Sequence, residues 1–502
     1  MDSPVLTPYR SFIQLDRKSA IPVYLQMSHQ LINAIQRGYL VEGQKLPGSR
    51  QMGKLLGLHR NTVTACYTEL DAQGWITVHP SRGSFIRNGK ADKPEKLNTQ
   101  RADAANRITQ YPKQVGFPFK KWSVLDNPFE HSEAKFSMDD GLPDPRLSHV
   151  SYLSRLLNTN MKRRGNRTKF GYNKSNGSAY YKENLANFLN LTRGLHVSPG
   201  NILVTRSLEL SIYIVAETLL SPGDRVVVGE LSYFATNMIL QKAGATIVSV
   251  PVDSEGLDIS AIRELCEKQP FRMLYTTPHH HYPTTVTLSA RRRLELLELS
   301  ATYGFIILED DYDYDFHYDG SPQLPMASAD TGGMVIYTGT FGKSLAPGFR
   351  SGFIVAPAEL IDEMRKLLGI MDRHGDVLAE LALGELIADG EIHRYLKKAV
   401  REYRGRRDCL AQLLREHLGE YVKFLEPTGG LAIWTEWRPG VNLMQLTKSC
   451  ARHDLYLPRY LLYQSKKVSG IRMGFGSFTP EELAETVKVM ANVLKDRITH
   501  DP

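Results

Sequence analysis

The chain has 502 residues, more than one hydrophobic core usually organises, so at least two domains are expected. Its hydrophobic share of 42% and charged share of 23% are those of an ordinary soluble protein. No apolar run approaches the length of a membrane span and the N-terminus has no signal-peptide core, which favours a cytoplasmic location. The four cysteines are scattered without metal-ligand spacing, so we expect buried or incidental thiols and no metal site.

The net charge of +8 is concentrated at one end of the chain. Residues 1–90 hold eleven lysines and arginines against five acidic residues, which is +6, whereas the remaining 412 residues contribute only +2. A basic N-terminal segment favours a polyanionic partner there. A solvated basic face would carry the same charge, so the local sequence pattern must distinguish the two.

The first ninety residues predict three helices followed by a β-hairpin. Apolar residues at helical spacing between Tyr24 and Ile35 indicate a first amphipathic helix, and Ser49 is expected to cap a short second helix. The stretches 75–78 and 84–86 predict a hairpin around a turn at 80–83. Between them, a third helix is expected to bury an apolar inner face made of Val63, Cys66, Tyr67 and Leu70.

This order of elements is the winged helix-turn-helix plan of DNA-binding proteins, a small α+β domain. The third helix enters the major groove, which places Arg60 and Asn61 near base edges and Thr62 on a phosphate. Arg50 and Arg82 are expected to neutralise backbone phosphates, with Arg82 at the wing tip beside Gly83. A three-helix module that binds another protein is the alternative.

Two short motifs carry a resemblance to a known family. Leu46–Arg50 and the pair Thr62-Val63 are similar to the Leu-Pro-Ser-x-Arg and Thr-Val motifs of the GntR-type DNA-binding domain. The resemblance implies binding to double-stranded operator DNA. His59 departs from the family pattern, which more often has a serine-like helix cap, and predicts a slightly weaker start of the third helix.

Residues 91–119 are predicted to be a flexible linker. This stretch is polar and mixed in charge, and it has few large apolar residues. Such a composition buries too little surface to fold by itself. The sequence therefore predicts a head of residues 1–90 and a large domain of residues 120–502, joined by a tether.

In the large domain, two apolar strands lead into polar residues. Phe305–Leu308 precedes Asp310 and Tyr312, and residues 334–337 precede a loop with Lys343 and Arg350. Ligands of α/β folds bind beyond the carboxyl ends of strands. A lysine amine, a carboxylate, a phenol and an arginine placed there suit pyridoxal phosphate. They can form a Schiff base, keep the ring nitrogen protonated, bond the ring oxygen and pair with the phosphate.

A lysine in a loop is more often a solvated surface charge, but four matched chemistries after two strands favour the cofactor site. The stretch Thr340–Arg350 resembles the active-site region of fold type I, class I/II pyridoxal-phosphate aminotransferases. That resemblance implies an α/β aminotransferase-like domain. It assigns the Schiff base to Lys343, the ring nitrogen to Asp310, the ring oxygen to Tyr312 and the phosphate to Arg350.

The same resemblance implies further binding residues. Arg472 is expected to pair with the carboxylate of a substrate or effector, and the run Gly141–Asp144 to lie near the substrate entrance. For Tyr233, an aromatic side chain that only fills core space remains the alternative. The remaining cofactor-binding positions are Tyr233 (stacked on the ring), Ser207 and Leu208 (at a helix start that holds the phosphate), His281 (near the ring oxygen) and Thr340.

This chain departs from the family pattern at two places and has one run that invites another reading. It has Ser207-Leu208-Glu209 where relatives usually have Gly-Ser-Gln, and Gly342 where a serine is frequent. The run His279-His280-His281 could suggest a metal site. Neighbouring side chains on an extended backbone point to opposite faces, however, so no metal is expected.

A GntR-like head fused to an aminotransferase-like domain resembles the MocR-type transcriptional regulators, and the resemblance covers nearly the whole chain. It implies a homodimer. Two functions follow: a transcription regulator that senses an amino compound or pyridoxal phosphate itself, or an active aminotransferase whose head only localises it. The head favours regulation, because catalysis requires no groove-reading helix, whereas a fold alone establishes no activity.

Overall fold

The structure is a computed structural model that describes residues 9–17, 19, 21–36, 39–79, 82–87, 114–119, 132–171, 177–320, 322–345, 348–372, 375–464 and 468–498. The chain divides into two compact units, Met1–Lys121 and Trp122–Pro502. The predicted linker falls largely outside the described residues, and its described part, 114–119, contains no helix or strand. No helix in the described ranges is long and apolar enough to cross a membrane.

The smaller unit contains the predicted helices and hairpin. Its helices are α1 (Tyr9–Phe12), α2 (Val23–Gln36), α3 (Ser49–Leu56) and α4 (Arg60–Ala72), and its strands are β1 (Ile76–His79) and β2 (Gly83–Ile86). The two strands are antiparallel, with Ile76 opposite Ile86.

The core of the smaller unit follows from the helical spacing of its apolar residues. The predicted inner face of α4 is fully packed: Val63, Cys66 and Leu70 have no exposed surface. They meet Met27 and Leu31 of α2, which are equally buried. The wing packs on this core through alternate residues of β1 and β2, as a half-buried hairpin requires.

Two helix starts in the smaller unit differ from expectation. Ser49 is the first residue of α3 rather than its cap; Gly48 occupies the cap position and makes no side-chain bond. At α4 the cap is His59, whose Nδ1 accepts a hydrogen bond from Asn61 N at 3.3 Å. The histidine therefore supplies the capping acceptor that a serine would give. Within α3, Gly53 is required, because a Cβ there would lie 2.8 Å from the carbonyl oxygen of Leu58 in the turn before α4.

The larger unit is an α/β domain followed by a smaller sheet. Its helices are α5 (Val150–Lys162), α6 (Ala179–Arg193), α7 (Leu208–Leu219), α8 (Phe234–Lys242), α9 (Ile259–Lys268), α10 (Ala290–Tyr303), α11 (Ala358–Met371), α12 (Val377–Ala388), α13 (Glu391–Leu418), α14 (Leu443–Ala451) and α15 (Pro480–Ile498). Short 3₁₀ helices occupy Pro145–Leu147, Arg164–Phe170, Pro199–Asn201, Met326–Ser328 and Arg459–Leu461.

The strands of the larger unit form one large sheet, one small sheet and short pairs. They are β3 (Phe136–Ser137), β4 (Ile202–Thr205), β5 (Arg225–Gly229), β6 (Thr246–Val250), β7 (Val252–Asp253), β8 (Gly256–Leu257), β9 (Met273–Thr276), β10 (Ile306–Asp311), β11 (Val335–Thr340), β12 (Gly352–Val355), β13 (Val422–Phe424), β14 (Ala432–Trp437), β15 (Leu455–Tyr456), β16 (Leu462–Gln464) and β17 (Ser469–Gly474).

The large sheet has seven strands in the order β4-β12-β11-β10-β9-β5-β6. The run from β11 to β6 is parallel, and β12 is antiparallel to both of its neighbours. These strands are nearly continuous apolar runs because helices cover both faces. The small antiparallel sheet, β13-β14-β17-β16, packs with α13, α14 and α15.

The two predicted site strands extend further than the apolar runs indicate. Asp310 and Asp311 lie inside β10, paired with Thr338 and Gly339 of β11, rather than in a loop after the strand. Likewise β11 continues to Thr340. The backbone ladder therefore holds the two carboxylates rigidly, and Lys343 follows three residues beyond the end of β11.

Candidate functional site

A cavity of about 270 Å³ lies at the carboxyl ends of β10 and β11, next to the start of α7. The strand ends and the helix N-terminus meet here because parallel strands present the same end to one edge of the sheet. Eight of the predicted residues line it: Ser207, Leu208, Tyr233, Asp310, Tyr312, Thr340, Lys343 and Arg350.

Asp310 is the buried acid of this cavity. Its Oδ2 accepts a hydrogen bond from the Tyr275 hydroxyl at 2.7 Å, while Oδ1 is buried and has no partner among the described residues. Burial raises the pKa of Asp310 to about 8, although the Tyr275 bond opposes that shift. A protonated ring nitrogen would give Oδ1 the donor that it lacks, so the site fits pyridoxal phosphate at this atom.

Lys343 and Tyr312 lie together on the cavity wall. The Lys343 Nζ is 4.6 Å from the centroid of the Tyr312 ring. The Tyr312 hydroxyl donates to the His280 carbonyl oxygen at 2.7 Å and accepts from Arg472 Nη2 at 3.3 Å. The Tyr312 hydroxyl therefore already donates its hydrogen bond to a backbone carbonyl, and the Tyr312 ring forms the surface beside the lysine amine.

The phosphate end is built from the start of α7 and the lysine loop. Ser207 caps α7, its Oγ accepting from Leu210 N at 3.1 Å, and the helix N-terminus opens on the cavity. Thr340 Oγ1 accepts from Gly342 N at 2.9 Å and donates to the Ser351 carbonyl oxygen at 2.7 Å. Thr340 therefore orders the loop that carries Lys343. Arg350 is exposed and lines the same end, as a phosphate ligand would.

The two departures from the family pattern fall at this end. Glu209 lines the cavity but is an exposed residue of the first turn of α7. Gly342 also lines it and presents its N–H to Thr340. The helix N-terminus and Arg350 remain available to an anion, because neither departure removes a backbone donor.

Two predicted residues lie behind the cavity wall rather than on it. Burial lowers the pKa of His281 to about 3, and its Nδ1 is 2.8 Å from Thr284 Oγ1. Its ring faces Gly229, where a Cβ would lie 2.7 Å from His281 Nε2. Arg472 has no exposed surface and lies behind Tyr312.

The three consecutive histidines do not converge. His279 Nε2 is 2.6 Å from the Gln323 carbonyl oxygen, and His280 Nδ1 is 2.7 Å from Asp313 Oδ1. His281 has the separate partner given above. Within the described residues no group of His, Cys, Asp and Glu side chains could hold a metal ion.

Sequence reasoning missed several cavity residues. Tyr275 lies in β9 and Tyr282 in the loop that follows β9. Asp140 immediately precedes the entrance run Gly141–Asp144. Tyr275 had a usable signal: it lies near the carboxyl end of β9, which pairs with β10. The other missed lining residues are Arg206, Thr277, Phe349 and Ser351, whereas Leu142 belongs to the predicted entrance run.

A buried ion pair and its hydrogen bonds support the lysine loop, the segment after β11 that carries Lys343. Arg193 Nη2 lies 2.9 Å from Asp315 Oδ1, and the two side chains are only 4% and 6% exposed. Arg193 Nε also donates to the Tyr337 hydroxyl at 2.9 Å. The other oxygen of Asp315 accepts from the hydroxyl of Ser344, the residue after Lys343. The network therefore ties the loop to α6 and β11.

In the smaller unit, the predicted nucleic-acid surface is open to solvent. Arg50, Arg60, Asn61 and Arg82 are exposed, and Thr62 is half-buried in the first turn of α4. At the wing, Gly83 has a φ of +109°, and a Cβ there would lie 2.9 Å from Lys45 Cε. Lys45 is exposed, and its Nζ is 5.8 Å from the centroid of the Phe85 ring. This second basic residue at the wing was missed, because it lies far from the wing in sequence.

Comparison with known proteins assigns both units. Residues 148–490 match the family model "Aminotransferase class I and II", and residues 23–86 match "Bacterial regulatory proteins, gntR family". The first match covers more than half of the chain, and both confirm the resemblances read from the motifs.

Three similar proteins illustrate the match. The probable rhizopine catabolism regulatory protein MocR of Rhizobium meliloti is 25% identical over 488 residues, covering 94% of each chain. The HTH-type transcriptional regulator TauR of Rhodobacter capsulatus is 26% identical, covering 93% of this chain and 96% of its own. Among solved structures, Pyrococcus horikoshii kynurenine aminotransferase with PMP has a TM-score of 0.67 and 25% identity, covering 73% of this chain and 92% of its own. The chain therefore belongs to the aminotransferase class I and II family, with a GntR-type DNA-binding domain ahead of its pyridoxal-phosphate-binding, aminotransferase-like domain.

Proposed function

We propose that the chain is a transcription regulator that binds operator DNA through its winged helix and senses an amino compound, or pyridoxal phosphate itself, in its large domain. One observation carries the proposal: a single chain combines a recognition helix that begins with the exposed Arg60 and Asn61 with a cavity that holds a lysine amine and a buried, half-satisfied carboxylate. Two relatives matched over most of their length support it, one named as a regulatory protein and one as an HTH-type transcriptional regulator.

The chain's own residues have distinct tasks in this proposal. Bound pyridoxal phosphate supplies an aldehyde that condenses with primary amines and a ring that withdraws electrons when its nitrogen is protonated. Asp310 accepts the ring N–H, and Tyr275 holds that carboxylate in place. Arg350 and the start of α7 would hold the phosphate, and Lys343 would supply the protein's amine beside the aldehyde.

Three further residues have roles at the site. Tyr233 would pack against the cofactor ring, because its side chain lines the cavity. Its ring lies 4.9 Å from that of Tyr282. Arg472 pairs with an effector carboxylate in an arrangement where its hydrogen bonds to the Pro283 carbonyl oxygen and the Tyr312 hydroxyl are broken. His281 stays neutral behind the wall and positions the loop before Tyr282.

The domain plan of the proposal keeps residues 1–90 as the DNA-binding head, 91–119 as the linker and 120–502 as the effector and dimerisation domain. The protein acts in the cytoplasm as a homodimer, because two heads reading two half-sites gain affinity and register from symmetry. An effector then changes DNA binding only through its differential affinity for two arrangements of the protein.

A working aminotransferase with a tethered head is the second candidate. It is favoured by one observation: Lys343, Asp310 and Arg472 are all present, and relatives named as aminotransferases share the fold. Turnover demands more than sensing, namely proton transfer at the substrate, release of a keto product and binding of a second substrate.

One experiment separates the two candidates. The full-length protein, loaded with pyridoxal phosphate, is titrated with amino compounds while the visible spectrum and the affinity for DNA selected from a random pool are recorded. Sensing predicts that one compound changes both, with little keto acid released. Sustained turnover with common keto-acid acceptors, and no effect of any amine on DNA affinity, would favour the enzyme.

A further inference from the structure

The cavity wall beside Arg472 presents a carboxylate that the cofactor does not use. Asp140 lies in the short loop between β3 and Gly141 and lines the cavity. The loop is held in place from both sides. Asp139 Oδ1 accepts from the N–H groups of Gly141 and Leu142 at 2.7 and 2.8 Å, and the Asp140 carbonyl oxygen accepts from Arg472 Nε at 2.9 Å. Asp140 therefore has a fixed position.

The carboxylate of Asp140 is incompletely compensated. Its Oδ2 accepts one hydrogen bond, from the Tyr282 hydroxyl at 3.2 Å, and the side chain is half-buried. No basic side chain of the described residues forms an ion pair with it. A half-buried carboxylate with one neutral donor gains from a cationic partner.

Arg472 forms no ion pair with the Asp140 carboxylate, although its buried positive charge lies close enough to interact with it. Its guanidinium has no exposed surface and donates to the carbonyl oxygens of Asp140 and Pro283 and to the Tyr312 hydroxyl. It also stacks on Tyr282, 4.7 Å from the ring centroid. In this arrangement Arg472 is therefore held by protein acceptors, and the charged side chain that this part of the wall presents to the cavity is that of Asp140.

We propose that Asp140 selects effectors that carry a second ammonium group in addition to the amine that meets Lys343. The inference rests on the proposed sensing function and specifies its ligand class, a diamine or a diamino acid. The rings of Tyr233 and Tyr282, 4.9 Å apart and edge to face, flank the carboxylate with aromatic surface that also favours a cation. An acidic amino acid would instead meet like charge at Asp140.

The test uses the full-length protein loaded with pyridoxal phosphate and two matched pairs of probes. Ornithine is compared with norvaline, and putrescine with n-butylamine, so that each pair differs by one ammonium group. Glutamate is the acidic control. Apparent affinities are read from the visible spectrum, and DNA affinity is measured in parallel for wild type, D140N and D140E. E183Q, which removes an exposed carboxylate of α6, is the matched control.

We expect a preference of about tenfold for the ammonium-bearing member of at least one pair, the size expected for a partly buried charge contact. That pair then identifies a diamino acid or a diamine as the source. D140N should bring the ratio close to one, chiefly by weakening the ammonium-bearing member of the pair, and D140E should restore part of it. Equal affinities within both pairs, a ratio that survives in D140N, or tightest binding of glutamate would overturn the inference.

The DNA readout keeps this inference separate from the proposed function. An ammonium preference in the spectrum without any change in DNA affinity would overturn sensing and leave the specificity of the cavity established. A change in DNA affinity caused only by norvaline or n-butylamine, which lack the second ammonium group, would support sensing and overturn the role of Asp140. Thermal unfolding of D140N that matches wild type shows that the variant is folded.

Discussion

The Tyr275 hydroxyl of β9 donates a hydrogen bond to Asp310 Oδ2 of β10, with the two oxygens 2.7 Å apart, and leaves Asp310 Oδ1 for a ligand. The bond has two effects. It fixes the position of the carboxylate, and it stabilises the ionised form that burial disfavours. The acid is thereby prepared to accept an N–H group but is not satisfied without one.

Tyr275→Phe should weaken the binding of pyridoxal phosphate. The change removes the donor that lowers the pKa of Asp310, so more of the carboxyl is protonated when the cofactor arrives. A buried hydrogen bond to a charged group is worth about 1.5–3 kcal/mol, which corresponds to a loss of roughly tenfold or more in affinity. Equilibrium dialysis measures it. Tyr303→Phe, at an exposed tyrosine of α10, is the control and should bind as wild type does.

Asp310 should also make the cofactor-free protein less stable as the pH rises. Its pKa in the folded protein is raised from 3.8 to about 8, so the folded state binds the proton more tightly than the unfolded chain. That contribution is complete below about pH 4 and is lost as the pH rises through about 8. The unfolding free energy of wild type minus that of Asp310→Asn should therefore decrease as the pH rises from about 4 to about 8. A difference that is constant with pH would contradict the raised pKa.

Lys343→Ala should abolish both the visible absorbance of bound cofactor and the label trapped by borohydride. Lys343 is the amine on the cavity wall, 4.6 Å from the Tyr312 ring centroid. Lys366→Ala removes an exposed lysine of α11 and should change neither signal. If the Lys343 variant keeps the absorbance and the label, another amine holds the cofactor.

In the head, two arginines should behave differently. Arg60→Ala, at the start of α4, should reduce the preference for operator over random DNA by about 1–3 kcal/mol, as expected for a base contact. Arg82→Ala, at the wing, should weaken all sequences alike and flatten the salt dependence, as expected for a phosphate contact. Filter binding at several salt concentrations tests both. DNA binding that survives in residues 122–502 alone would place the interface elsewhere.

The sequence predicts which residue types surround the cofactor better than it predicts where their side chains point. Strand periodicity and strand ends located Asp310, Lys343 and Thr340, because buried parallel strands have a strong apolar signal. The lengths of β10 and β11 were underestimated, since hydrogen bonding across the ladder keeps polar residues in the strand. Local polarity alone does not show this.

Loop side chains were harder to predict for a different physical reason. In the loop after β9, the cavity is lined by Tyr282 and not by His281, because the space beside Gly229 accommodates the imidazole on the other side of the wall. At α3, the cap is Gly48 rather than Ser49, a shift of one residue. Both outcomes depend on tertiary contacts that short motifs do not encode.

The buried pair of Arg193 and Asp315 provides the last prediction. Asp315→Ala leaves a guanidinium that is 4% exposed without its carboxylate and should destabilise the protein by about 3–5 kcal/mol. The same change frees Ser344, so the lysine loop should loosen and cofactor absorbance should fall. Glu264→Ala breaks an ion pair whose side chains are 61% and 67% exposed and should lose less than about 1 kcal/mol.

Adding Arg193→Met to Asp315→Ala separates the two effects of that change. The double variant has no unpaired buried charge, so denaturant unfolding should show most of the lost stability restored. The Ser344 contact stays broken in the double variant, and cofactor absorbance should therefore remain low. If absorbance recovers together with stability, Asp315 acts on the loop only through the fold. If absorbance stays low in a stable protein, Asp315 positions Lys343 through Ser344.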